Sequence, residues 1–314
     1  MSGIYTQLID LLSGGPGGRA SAEAEARQII AAILPRQKTI GQADPAQTTR
    51  MLEMAKARLS GMTLQYLTGK AYFYHHEYQV GPGVLVPRPE TEILVECAEK
   101  KLKHLWSLEP PVLRVGMEIG LGSGMISIEL VCQFPLLIMY GSELSSDAIK
   151  WAEINRQTIL AAPQDSNRLV VLQAENPGHV FEPFETQAAL RLPAVDFLIS
   201  NPPYLSRQDE ISEDVLAHEP SCALFAQNEN PSFFYEVIAR DADRYLKPRG
   251  QIFVEIAHER QENVQKCFEH HGWNVKTFLD LTGRARVLTA FKTEPVMSKQ
   301  SDYGSTEARR RQPA

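Results

Sequence analysis

The 314-residue chain lacks the features of membrane, secreted and metal-binding proteins. No apolar run approaches the roughly 20 residues needed to cross a bilayer, and the N-terminus has no basic flank ahead of a long apolar segment. The 4 cysteines are far apart and form no C-x-x-C pair, which disfavours a zinc site and a disulfide framework. We therefore expect a cytoplasmic protein with no metal site, no membrane contact and reduced, mostly buried cysteines.

The chain also lacks a positive net charge: its formal net charge at pH 7 is −6. Phosphate contacts dominate the binding of nucleic acids, so tight binders usually carry a basic surface. We therefore expect no direct nucleic-acid partner, and we expect the chain to be a monomer. The strongest basic run, at residues 309–311, falls in a polar segment over residues 293–314 that has the composition of a disordered tail.

The first 70 residues carry apolar side chains at helical spacing and no catalytic cluster, which predicts a small helical domain. Ser21 is predicted to cap one of its helices. Asp44 followed by Pro45 predicts the start of another, because a capping side chain and a proline at the first helical position both favour a helix start.

A bridge of different character follows, over residues 71–89. Aromatic and β-branched residues surround the Gly-Pro-Gly sequence at residues 81–83, which predicts a hairpin. Pro87 and Pro89 favour an extended backbone, so the next helix is expected to open at Glu90 or Thr91.

Residues 90–292 alternate short apolar runs with helical stretches, which is typical of a parallel α/β sheet covered by helices. The predicted strands are residues 112–119, 136–142, 168–172, 195–200, 251–256, 273–278 and 286–291. The last two are separated only by a loop, which predicts an antiparallel pair at the sheet edge. The expected fold is thus α/β, a Rossmann-like seven-stranded sheet with an antiparallel edge hairpin, plus the helical domain at the N-terminus.

A glycine loop follows the first strand of this sheet. Gly120, Gly122 and Gly124 stand between the strand and a helix, where they permit positive φ and the close approach of a ligand to the backbone. The dinucleotide fingerprint places its third glycine where this chain has Met125, which disfavours NAD. Glu143 ends the second strand, where a carboxylate accepts hydrogen bonds from both ribose hydroxyls of a nucleoside. A nucleoside cofactor is favoured over a plain structural turn.

The strongest motif is Asn-Pro-Pro-Tyr at residues 201–204, directly after a buried strand. Ligands of open α/β sheets bind at the carboxyl ends of strands, where this loop falls. The Asn201 side-chain oxygen and the Pro202 carbonyl can each accept one proton of a planar NH₂ group. Neither Pro202 nor Pro203 has an N–H, so the loop presents acceptors, and Tyr204 can pack against the amide plane. A strand-terminating turn is the alternative interpretation.

Four segments resemble the bacterial release factor glutamine methyltransferases, the PrmC/HemK family. They are QYLTGKAYFYHHEYQVGPGVLVPRPETE at residues 65–92, NPPYLSRQDEI at 201–211, EPSCAL at 219–224 and LTGRARV at 281–287. The resemblance covers roughly residues 50–290. It implies a class I methyltransferase sheet, S-adenosylmethionine as the methyl donor, and the glutamine of the GGQ motif of class 1 peptide release factors as the acceptor.

The resemblance also implies roles for residues at the matching positions. Those that would bind the donor are Gly120, Leu121, Gly122, Ser123, Gly124, Glu143, Glu175, Asn176 and Asn201. Those that would bind the glutamine amide are Asn201, Pro202, Pro203 and Tyr204, with Arg88 lining the cleft. The catalytic residues would be Asn201, Pro202 and Tyr204.

The chain departs from the family pattern on the donor side. Glu118, Glu143 and Glu175 stand where the family usually has aspartate, and Asn176 stands where some members place an aromatic residue near the adenine. A glutamate reaches one methylene further, so the ribose contact is expected to survive with shifted geometry.

Several alternatives stay open at this point. A glutamine of a ribosomal protein, or the exocyclic amine of adenine or guanine in a nucleic acid, would present the same planar NH₂ group to residues 201–204. The glutamates could instead have turned the chain into a non-catalytic nucleoside-binding module. A NAD oxidoreductase fits least well.

Overall fold

A computed structural model describes residues 3–15, 17–35, 37–186 and 194–292. The segment expected to be a disordered tail, residues 293–314, lies outside the described residues. The N-terminal helices are α1 (Gly3–Leu12), α2 (Gly18–Ile33), α3 (Pro45–Leu59) and α4 (Leu64–Thr68). They bury an apolar cluster of their own that includes Leu8, Ile29 and Met51. The domain limits at residues 70, 89 and 292 stay a prediction.

The starts of these helices test two predictions. Asp44 caps α3 as expected, since its side chain accepts a hydrogen bond from the Gln47 N–H at 2.8 Å. The prediction for Ser21 is wrong, because α2 begins at Gly18 and Ser21 lies inside its first turn. Its hydroxyl donates to the Glu25 carboxylate one turn further on, at 3.3 Å.

The predicted hairpin exists, but its turn lies elsewhere. Strands β1 (Lys70–Phe73) and β2 (His76–Gln79) pair antiparallel around Tyr74, which has a φ of 53°. The Gly-Pro-Gly sequence at residues 81–83 follows β2 instead, and the Pro82 carbonyl accepts a hydrogen bond from Trp151 at 3.1 Å. Helix α5 (Pro89–Trp106) begins at Pro89, just before the two residues predicted to open it.

The large sheet has the seven strands that the sequence predicts. They are β3 (Arg114–Ile119), β4 (Leu137–Glu143), β5 (Leu169–Gln173), β6 (Val195–Ser200), β7 (Leu246–Glu255), β8 (Asn274–Leu279) and β9 (Ala285–Phe291). Their order is β5-β4-β3-β6-β7-β9-β8. The first five in this order are parallel, and β9 pairs antiparallel with both of its neighbours. The predicted antiparallel edge pair is therefore confirmed.

Helices cover both faces of this sheet. The remaining ones are α6 (Met125–Gln133), α7 (Ser146–Ile159), α8 (Pro163–Ser166), α9 (Glu182–Thr186), α10 (Glu213–His218), α11 (Ser221–Leu224), α12 (Phe233–Asp241) and α13 (Gln261–His270). One apolar cluster includes Ile128 of α6 and Ala152 of α7, and a second includes Ile238 of α12 and Phe268 of α13. No described helix is both long and apolar enough to span a membrane.

The cysteines correct one expectation. Cys97 and Cys267 are buried, but Cys132 and Cys222 are exposed, so only half of the four follow the prediction of burial. All four are free thiols.

The strand order creates a crevice at one edge of the sheet. From β3 the chain moves outward through β4 and β5, then returns to place β6 on the other side of β3. Loops that leave neighbouring strands in opposite directions open a cleft at their carboxyl ends, where α/β proteins bind ligands. The glycine loop after β3 and the Asn-Pro-Pro-Tyr loop after β6 meet at this point.

Candidate active site

A cavity of about 470 Å³ opens at the carboxyl ends of β3, β4 and β6. This volume lies within the range of roughly 300–1,000 Å³ that is common for small-molecule sites. The site residues suggested by the sequence that line the cavity are Gly120, Leu121, Gly122, Ser123, Glu143, Glu175, Asn201, Pro202 and Pro203. The Asn-Pro-Pro-Tyr loop at residues 201–204 is called the acceptor loop below. The structure therefore brings the glycine loop and the first three residues of the acceptor loop to one cavity.

Four of the suggested residues are not among those that line the cavity. Gly124 caps α6 with a φ of 82°. The Asn176 side chain accepts a hydrogen bond from the Gly178 N–H at 2.8 Å, so it stabilises a turn. Tyr204 packs against a buried cluster behind the acceptor loop, and Arg88 forms an ion pair outside the cavity.

The glycine loop has a backbone conformation that residues with a side chain rarely adopt. Gly120, Gly122 and Gly124 have φ values of 76°, 56° and 82°, in the left-handed region where a Cβ costs roughly 1–2 kcal/mol. The N–H groups of Gly120 and Leu121 both donate to the carbonyl of Ser142 on β4, at 2.9 and 3.1 Å. The loop is thus held in place by its own backbone.

Glu143, the last residue of β4, binds the same loop through its side chain. Its Oε2 accepts from the Gly122 N–H and its Oε1 from the Ser145 N–H, both at 2.8 Å. Burial raises the pKa of the Glu143 carboxyl, while these backbone hydrogen bonds lower it. The additional methylene of a glutamate is therefore taken up by contacts that fold the side chain back onto the loop, and each oxygen keeps a second lone pair for a ligand.

Glu118 on β3 is a second carboxyl group at the cavity wall. Its side chain is buried, and its Oε2 accepts hydrogen bonds from both the backbone N–H and the hydroxyl of Ser127. Its Oε1 has no hydrogen-bond partner among the described residues. Burial raises the pKa of Glu118 to about 8. Near neutral pH this group is therefore mostly protonated, and its unpartnered oxygen suits a polar ligand, or a positively charged one that would favour the ionised form.

Asn201 links the acceptor loop to helix α5. Its Nδ2 donates a hydrogen bond to the Thr91 hydroxyl oxygen at 3.0 Å, and Thr91 is fully buried. Within the described part of the chain no group donates to the other end of this carboxamide, Oδ1. Asn201 also lines the cavity, so a free acceptor oxygen stands at its wall.

Tyr204 contacts a third buried carboxyl group. Its hydroxyl donates to Oε1 of Glu255 at 3.3 Å, and Glu255 is 3% exposed at the end of β7. Burial raises the pKa of Glu255 to about 7 and raises the pKa of the Tyr204 hydroxyl. Tyr204 therefore supports the acceptor loop from behind.

Arg88 joins two of the segments that carry the family resemblance. Its guanidinium donates to the Glu219 carboxylate at 2.5 Å, and the Glu219 side chain is fully buried. The same carboxylate accepts from the Val86 N–H at 3.3 Å. Without Arg88 the buried Glu219 carboxylate would lose its positively charged partner, so this geometry favours a structural role for Arg88 over a direct contact with the acceptor.

Sequence reasoning missed several residues of the cavity wall. Leu85 lines it from the segment before α5, and a later stretch of the chain contributes Cys222, Gln227 and Phe234. The signal for Cys222 was present, because EPSCAL follows the acceptor loop and belongs to the resemblance. Phe234 lies on an ordinary amphipathic helix, and its local sequence carries no signal of a binding site.

Comparisons with known proteins agree with this architecture. The strand order and the two loops define the fold of class I methyltransferases. The hMettl16 catalytic domain in complex with MAT2A 3'UTR hairpin 1 superposes with a TM-score of 0.51. The alignment covers 88% of this chain and 90% of that one at 14% identity, so this likeness concerns the fold alone.

Sequence comparison then gives the family. The chain is 31% identical to the release factor glutamine methyltransferase of Streptomyces coelicolor, over 90% of this chain and 94% of that protein. It is 31% identical to the bifunctional methyltransferase of Rickettsia conorii over 79% of its own length, but it spans only about half of that relative (48%). No protein-family model matches the chain. The chain belongs to the family of release factor glutamine methyltransferases.

Proposed function

We propose that the protein transfers a methyl group from S-adenosylmethionine to the side-chain amide nitrogen of the glutamine in the GGQ motif of class 1 peptide release factors. The observation that carries this proposal is the free Oδ1 of Asn201 at the wall of the cavity that the glycine loop also lines. The names of the relatives supply the acceptor, since several are release factor glutamine methyltransferases.

The residues on the donor side suit this cofactor. Glu143 would accept hydrogen bonds from the ribose hydroxyls with the lone pairs that Gly122 and Ser145 leave free. The unpartnered Oε1 of Glu118 would face the methionine part, whose positive charge would favour the ionised form of this carboxyl group. Pro177 and Phe234 supply apolar surface for the purine ring. Glu175 also lines the cavity, whereas Asn176 is engaged in its own turn.

The residues on the acceptor side suit a primary carboxamide. The two N–H groups of such an amide would donate to Asn201 Oδ1 and to the Pro202 carbonyl, and this pair of contacts would fix the nitrogen in position. When bound, S-adenosylmethionine supplies an electrophilic methyl group on a sulfonium. Asn201 and Pro202 would hold the amide nitrogen in line with that carbon for a single displacement.

Positioning supplies most of the rate enhancement in this proposal. Holding two reactants in reactive geometry can lower a barrier by about 7–11 kcal/mol. The amide proton can leave after the methyl group has arrived, so the chain needs no general base before transfer. Acceptor oxygens placed where positive charge develops on the nitrogen add electrostatic stabilisation.

Purified protein incubated with methyl-labelled donor and a class 1 release factor tests the proposal. Mass spectrometry should place one methyl group on the GGQ glutamine, and a release factor with alanine at that glutamine should stay unlabelled. Parallel reactions contain a ribosomal-protein fraction and an adenine- and guanine-containing oligonucleotide. Labelling of either, with no labelling of the release factor, would overturn the proposed acceptor.

A further inference from the structure

Two buried polar residues, Thr91 and Glu255, lie behind Asn201, on the side away from the cavity. Thr91 is 0% exposed in the first turn of α5, and its hydroxyl oxygen accepts the hydrogen bond from Asn201 Nδ2 at 3.0 Å. The same hydroxyl lowers the pKa of Glu255, so it lies near that carboxyl. Glu255 Oε2 has no well-formed hydrogen bond to any described residue.

The chemistry of these groups fixes the direction of the contact. A threonine hydroxyl has one proton to donate and lone pairs with which to accept. If that proton is directed at the Glu255 carboxylate, the Thr91 oxygen can only accept from Asn201. The Asn201 carboxamide must then turn its NH₂ end towards Thr91 and its oxygen towards the cavity.

We propose that Thr91 and Glu255 are positioning residues, which hold the Asn201 carboxamide in the one orientation that presents Oδ1 to the acceptor amide. The inference rests on the proposed function, because it assigns a role within the same acceptor site. Thr91 belongs to the sequence Pro-Arg-Pro-Glu-Thr-Glu at residues 87–92, the end of the first segment that carries the family resemblance, so this role ties that sequence to the acceptor loop through a side-chain contact.

Other groups around Glu255 affect the same carboxyl. The Tyr204 hydroxyl donates to its Oε1 at 3.3 Å, and the Tyr235 hydroxyl donates to its backbone carbonyl at 2.8 Å. Arg286 on β9 lowers the pKa of Glu255, whereas Glu90 on α5 raises it. In its ionised form the carboxylate can accept from both Tyr204 and Thr91, whereas the protonated acid would have only one oxygen free of a proton.

The first test removes the Thr91 hydroxyl and keeps the shape of the side chain. In Thr91→Val we expect kcat to fall about 100-fold, a loss typical of a misplaced reactive group, with the donor Kd unchanged. Thr91→Ser should recover most of the wild-type kcat. Thr289→Val is the matched control, because Thr289 is also buried, on β9, and among the described residues its hydroxyl donates to the Lys276 carbonyl and not to a group of the site.

The second test uses the pH dependence of kcat. Because the pKa of Glu255 is about 7, kcat of the wild type should rise about tenfold between pH 6 and pH 8 as the carboxylate forms. Glu255→Gln should lower kcat at pH 8 and remove this rise. A merely structural role would lower the melting temperature and leave the shape of the pH profile unchanged.

The outcomes separate this inference from the proposed function. If the wild type does not methylate the GGQ glutamine, the proposed function has failed. If the wild type is active, a wild-type kcat in Thr91→Val or an unaltered pH profile in Glu255→Gln overturns the positioning role alone. Should Thr91→Val prove unstable, the pH profile of Glu255→Gln decides the question by itself.

Discussion

The two loops that meet at the cavity are held by different means. The glycine loop, residues 120–124, is fixed by its own backbone through left-handed φ values and hydrogen bonds to β4. The acceptor loop, residues 201–204, is fixed by side chains that reach it from α5 and β7. An added Cβ in the glycine loop should therefore weaken donor binding. The loss of a single polar atom that holds the acceptor loop or the acceptor should instead lower kcat.

The largest effect should come from the acceptor side. Asn201→Ala removes the oxygen that would hold the amide, so we expect kcat to fall about 100-fold to 1,000-fold, the loss typical of a missing electrostatic contact. Because the glycine loop does not depend on this side chain, the donor Kd from calorimetry should change by less than about threefold. Retained kcat in this variant would refute the role assigned to Asn201.

The glycine loop should give the opposite pattern. Gly122→Ala adds a Cβ at a φ of 56°, which costs roughly 1–2 kcal/mol and disturbs the N–H that Glu143 accepts. We expect the donor Kd to rise about tenfold, while kcat at saturating donor stays within about twofold of wild type. Gly41→Ala is the control, because an added Cβ meets no atom within 4 Å at either glycine, but Gly41 does not have a positive φ. A fall in kcat at saturating donor would show that the two loops are not independent.

The smallest effect concerns stability. The pKa of Glu118 is about 8 in the folded protein, above the ordinary carboxyl value, so the folded state keeps a proton that the unfolded chain loses. The stabilisation of the folded state by this bound proton is complete at pH 4 and is lost as the pH rises to about 8. Because Glu118→Gln cannot lose a proton, it should melt several degrees higher than wild type at pH 9, relative to their difference at pH 5. Parallel melting curves would contradict the buried, protonated state.

The sequence predicts most of the sheet because apolar runs and their spacing are local signals. All seven strands and the antiparallel edge pair are where they were expected, although β7 begins at Leu246, five residues early. The Lys-Pro-Arg-Gly sequence at residues 247–250 is typical of a turn. Pairing with β6 continues past it through a register shift between Val195 and Phe197, which local sequence does not reveal.

The candidate site also has a part that the sequence predicts and a part that it does not. The glycines, Glu143 and the acceptor loop follow strands directly, so their meeting at one edge was predictable from topology. The residues that support Asn201 could not be predicted, because they are distant in sequence. Thr91 lies 110 residues before Asn201. Glu255 lies 51 residues after Tyr204. The hairpin turn at Tyr74 was missed because glycine and proline at residues 81–83 gave a stronger local signal.

The most direct test of this account is a crystal structure of the protein with S-adenosylhomocysteine and a peptide containing Gly-Gly-Gln. We expect the glutamine amide nitrogen within about 3.2 Å of both Asn201 Oδ1 and the Pro202 carbonyl, with Asn201 Nδ2 still bonded to Thr91. A glutamine side chain bound elsewhere, or an Asn201 carboxamide with its oxygen turned towards Thr91, would contradict it.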